Sequence, residues 1–84
     1  MVAALILLSC AAKRLPPSGT VTWDDAREIL CRKDVKAVEQ THGRRVTIFM
    51  DGGATYVTQE PLMDLVVIRL KDCGHTEDVE FSTE

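Results

Sequence analysis

The stretch that most constrains this chain is Val35 to Glu60, VKAVEQTHGRRVTIFMDGGATYVTQE. Two tight turns punctuate it, His42-Gly43-Arg44 and Asp51-Gly52-Gly53. Between them Val46, Ile48 and Met50 alternate with Thr47 and Phe49, the period-two pattern of a strand with one buried face. The pattern predicts a three-stranded antiparallel meander over Val35–Thr41, Val46–Met50 and Ala54–Thr58. Asp51-Gly52 is a favoured type I′ pair, and Gly53 accepts positive φ if the loop runs longer. In the first strand Val35 and Val38 are three apart, which breaks strict alternation; a bulge or a twisted first strand would accommodate this.

Helical signals flank the meander. Thr22 suits an N-cap, with Asp25 three residues on and Asp24 and Asp25 favouring the positive end of the helix dipole. Trp23, Ala26, Ile29 and Leu30 fall at helical spacing as a buried stripe, and Trp23 reads as core rather than as a ligand platform. Arg32, Lys33 and Asp34 are expected to end this helix. Pro61 suits the first turn of a second helix, with Leu62, Met63, Val66, Leu70 and Cys73 as its stripe. Leu65, Val67 and Ile68 widen that stripe, so cover on more than one side is expected. Gly74 is a C-cap residue, and Val79-Glu80-Phe81 alternates like a closing strand. The expected fold is a small α+β two-layer sandwich in the order (β)α-βββ-α-β, with helices on one face of a mainly antiparallel sheet.

Eighty-four residues allow one small domain. Residues 20–84 are its expected extent. A domain of about 65 residues buries only ~60% of the surface its unfolded chain exposes, and such domains often carry a staple. A net charge of −3 and three isolated basic pairs argue against a nucleic-acid partner.

The N-terminus reads MVAALILLSCAA. Its apolar run is too short to span a bilayer and suits the hydrophobic region of a signal peptide. Leu7-Leu8-Ser9-Cys10 resembles a bacterial lipobox. That resemblance implies a signal peptide over residues 1–9, lipidation at Cys10, and export to a bacterial membrane facing the periplasm or the exterior. Residues 11–19 would follow as a linker, with Pro16 and Pro17 favouring an extended spacer. No Lys or Arg precedes the apolar run, so a start further upstream is expected.

The folded part resembles the membrane-external domain of FtsH-type AAA proteases. The matching stretches are Val21-Thr22-Trp23, Val35-Lys36-Ala37-Val38, Asp51-Gly52, Glu60-Pro61, Leu62 to Leu70 and Val79-Glu80-Phe81. They cover about 60 residues, and the motifs are structural ones. The chain carries no Walker A sequence and no HExxH, so neither ATPase nor zinc-protease activity follows. The resemblance implies a compact domain held just outside a membrane, where such modules contact partner proteins.

Little chemistry presents itself. With Cys10 assigned to lipid, Cys31 and Cys73 remain as a candidate disulfide between the C-terminal ends of two helices, against two free thiols. Cys73, His75 and His42 match no zinc-ligand spacing, so no metal is expected, the histidines reading as exposed loop residues. Cys73 with His75 could be a thiol nucleophile and its base, but no third orienting group is apparent. His42, Arg44 and Arg45 form a candidate contact surface. The expectation is therefore a non-enzymatic binding or scaffolding domain without a cofactor, anchored through Cys10 and facing another envelope protein. A cytoplasmic interaction domain with a misassigned start, and a small thiol enzyme, are the alternatives.

Overall fold

The computed structural model describes residues 15–83. The expected signal peptide over residues 1–9, the lipidation candidate Cys10 and the first part of the expected linker lie outside the described residues.

Alternation in the central stretch becomes three strands: β2 (Val35–Gln40), β3 (Arg45–Met50) and β4 (Thr55–Gln59). A short β1 (Gly19–Thr20) and helix α1 (Trp23–Leu30) precede them, and helix α2 (Leu65–Asp72) and β5 (Glu80–Thr83) follow. The sheet order is β1-β4-β3-β2-β5. Val35 lies opposite Met50 and Ala37 opposite Phe49, so one residue of β2 is extra and the strand bulges. The bulge puts Val35 and Val38 on the same face as Val46, Ile48, Met50 and Tyr56, all buried. Ala26, Ile29 and Leu30 of α1 and Val66 and Leu70 of α2 close the core over that face. The fold is α+β.

The sheet is mixed rather than mainly antiparallel. β2, β3 and β4 form the meander, but β1 runs parallel to β4 and β5 parallel to β2. Each helix carries the chain back along the sheet, so the strand after it must run the same way as the strand before it.

Both turns of the meander are three-residue loops of one kind. Gly53 N–H donates to the Met50 carbonyl (3.0 Å), and Arg44 N–H to the Thr41 carbonyl (3.0 Å). In each, the last loop residue is left-handed, with φ of 98° at Gly53 and 64° at Arg44. The expected type I′ turn at Asp51-Gly52 does not form, since neither residue has positive φ. A three-residue loop whose last residue is left-handed also suits a hairpin, and Gly53 supplies that residue.

Helix α1 begins as its sequence predicts, Thr22 Oγ1 accepting the Asp25 N–H (3.2 Å). It ends earlier than expected. Leu30 is its last residue, and Arg32 and Lys33 lie beyond it. Arg32 N–H closes a tight turn onto Ile29 (3.0 Å) while its side chain pairs with Asp34 (3.1 Å).

Helix α2 starts at Leu65 rather than Pro61, because Asp64 is left-handed (φ 68°) and breaks the helical path. Leu62 and Met63 are therefore exposed at 66% and 48% rather than buried. Ile68 is exposed as well, so α2 is covered on one side only. Its end is a Schellman motif, with Gly74 left-handed and His75 N–H donating to the Leu70 carbonyl (2.8 Å). No helix among the described residues is long and apolar enough to cross a membrane.

Candidate functional site

The sheet has two chemically different ends. The chain reaches the sheet from Leu15, which packs against the core, and Tyr56 OH donates to the Pro16 carbonyl (3.0 Å). The Asp51–Gly53 loop and the C-terminal ends of both helices share this near end. Asp51 N–H donates to the Asp34 carbonyl there (2.8 Å). The Thr41–Arg44 turn and the start of α2 lie at the far end, a strand length away, roughly 17 Å for five residues.

At the far end, His42, Arg44 and Arg45 are all exposed. The tip that carries them is braced by the end of β4 and the segment that follows it. Glu60 N–H donates to the Arg44 carbonyl (3.0 Å), and Gln59 Nε2 to the Gly43 carbonyl (2.6 Å). The Arg44 guanidinium in turn donates to the Pro61 carbonyl. These bonds hold Arg44 in a conformation that a non-glycine residue adopts at a cost of order 1 kcal/mol. Leu62 and Met63 stand exposed on the braced segment, so the basic tip adjoins an apolar one. Arg45 also faces a cavity of about 300 Å³ shared with Trp23, Val57 and Gln59.

Beneath the tip lies a polar cluster that the sequence reading missed. Glu60 is 0% exposed. One carboxyl oxygen accepts the Val66 N–H (2.9 Å), and the other accepts Gln40 Nε2. Gln40 also points an N–H at the Met63 sulfur (3.4 Å), so an exposed side chain roofs a buried network. The signal was present as polar residues at core-facing positions: Gln40 two beyond Val38, and Glu60 two beyond Thr58 and four beyond Tyr56. Thr58 is buried too, and its hydroxyl oxygen has no hydrogen-bond partner among the described residues.

At the near end the structure brings Cys31 and Cys73 together, joined through their sulfurs with Cα atoms 5.2 Å apart, inside the range for a bridge. His75 is buried (7% exposed) rather than an exposed loop residue. Its Nε2 contacts the Arg32 carbonyl (2.9 Å) and its Nδ1 the Asp78 carboxylate (3.0 Å). Asp78 is the orienting group that sequence spacing did not reveal. Both ring nitrogens face oxygen acceptors rather than a cysteine sulfur, so His75 ties the loop after α2 to the loop after α1. Among the described residues no three His, Cys, Asp or Glu side chains converge to hold a metal ion.

No protein-family model matches the chain, and no curated protein matches it.

Proposed function

We propose that this chain is a lipid-anchored, non-enzymatic domain of the bacterial cell envelope, attached through Cys10 and binding another envelope protein at its far end. The observation that carries the reading is the polarity of the sheet. Leu15 and Pro16, a few residues after Cys10, meet the domain at the near end. The braced tip with His42, Arg44, Arg45, Leu62 and Met63 lies at the other. A tether at one end and a preorganised basic and apolar surface at the other is the layout of a module that presents itself outward from a membrane. The order β-α-β-β-β-α-β supports a relation to the membrane-external domain of FtsH-type AAA proteases.

In this reading the near end is a staple. A bridge between Cys31 and Cys73 closes a long loop, is worth roughly 3–4 kcal/mol by the chain-entropy model, and suits an oxidising compartment. A thiol enzyme fits less well, since Cys73 is joined to Cys31 and His75 is engaged by Arg32 and Asp78.

Metabolic labelling with radioactive palmitate tests the anchor. Label should enter the full chain and be lost in Cys10→Ala, and equal labelling of both would remove the lipoprotein reading. Alkylation of the exported chain without reductant tests the staple: Cys31 and Cys73 should resist modification until reduced.

A further inference from the structure

We infer that the outer edge of β5 is a strand-addition site for an extended segment of a partner protein that carries a large apolar side chain flanked by basic residues. The inference rests on reading the domain as a binding module and adds the mode of recognition.

The two edges of the sheet are unlike. At one edge β1 is two residues long and follows Pro16 and Pro17, which lack a backbone N–H. Short strands and prolines are how proteins blunt an edge against pairing. At the other edge β5 runs Glu80-Phe81-Ser82-Thr83 with every residue exposed, and among the described residues it pairs on one side only. It contains no proline, lysine or bulge. Its outer backbone groups are a template for one more strand.

A cavity of about 200 Å³ opens beside this edge, walled by Val67 and Leu70 of α2 and by Val79 and Phe81. Phe81 is opposite the buried Val38, which puts it on the helix side of the sheet, yet it remains 36% exposed. An added strand would send every second side chain to that same side. One large aliphatic side chain on it would enter the cavity and cover Phe81. Backbone pairing and an apolar anchor thus fall on one line.

Charge selects the occupant. Glu77, Asp78 and Glu80 are exposed beside the edge, with Lys71 the cation at the cavity rim. A second copy pairing through β5 would gather both sets of acids along one seam, where like charges are unfavourable. A basic segment meets the same seam with attraction.

The probe is an acetylated and amidated peptide, Arg-Thr-Leu-Thr-Leu-Thr-Arg, added to the full chain carrying Cys10→Ser in detergent. Saturable binding should slow hydrogen exchange at amides of Glu80–Thr83. Replacing both leucines by serine, or both arginines by glutamate, should abolish or weaken it. Phe81→Ala should weaken binding roughly tenfold, the loss of one apolar contact. Ser82→Lys, placing a lysine on the edge without touching the cavity, should also weaken it, with the melting temperature of each variant recorded. Any of four results overturns the inference: no binding, binding indifferent to both variants, protection confined to another element, or β5 protection that follows chain concentration without peptide. If the peptide fails while cross-linking to an envelope protein remains sensitive to Arg44→Glu and Arg45→Glu, strand addition falls and the binding-module reading stands.

Discussion

The two helices start in opposite ways. At α1 the first turn is satisfied from next door: Thr22, the residue before the helix, accepts the Asp25 N–H at the surface. At α2 the residue before the helix is Asp64, which is left-handed and offers no side-chain cap. The Val66 N–H is satisfied instead by Glu60, six residues back and fully buried. The first device is local and solvated. The second holds the end of β4, the end of β2 through Gln40, and the start of α2 in one buried network. A surface cap can be lost to water at modest cost, whereas a buried polar group without its partner carries its full desolvation penalty.

Substitutions can break or sharpen this contrast. Glu60→Ala should have the largest effect, about 3–4 kcal/mol of destabilisation, because it opens a cavity and strands both Val66 N–H and Gln40. Urea unfolding would measure it, and a loss under 1 kcal/mol would mean the network is not buried as described. Glu60→Gln should cost less, roughly 1–2 kcal/mol, since Gln40 can turn its amide to present an oxygen. In the Gln40→Ala, Glu60→Ala double-mutant cycle the two losses should not add. Thr22→Ala should cost about 1 kcal/mol, the usual value of a surface N-cap. The smallest effect is expected at Asp64→Gly, a gain of roughly 0.5 kcal/mol, as relief of the left-handed conformation is partly offset by a freer unfolded chain. Destabilisation there would show that the Asp64 side chain contributes something its geometry does not reveal.

The same contrast separates what could be read in the sequence from what could not. Thr22 with Asp25, the broken alternation of Val35 and Val38 that a bulge or a twisted strand would accommodate, the alternation of Val46 to Met50, and Gly74 all depend on residues within a few positions of one another. The start of α2 does not. Pro61, Leu62 and Met63 look like a first helical turn by propensity and spacing, but the chain there is committed to bracing the Thr41–Arg44 tip, and Glu60 is committed to the core. Left-handed Arg44 was hidden for the same reason, since local preference would assign that conformation to Gly43. Of the candidate surface, sequence supplied His42, Arg44 and Arg45. Leu62 and Met63 fall at helical spacing with the core residues of α2, yet both stand exposed beside that tip. The parallel pairing of the outer strands was also beyond reach, because it depends on which way each helix returns the chain.

That outer pairing has a consequence for assembly in time. The meander closes through two short loops, whereas β1 must wait for β4 to be made and β5 must come back to β2, with Gly19 beside Tyr56 and Ala37 beside Glu80. Rate follows the sequence distance of the contacts to be formed. The centre of the sheet should therefore gain amide protection first in pulse-labelled refolding, with the two margins following together. A chain threaded across a membrane from its N-terminus would hold β1 without a partner until β4 had emerged.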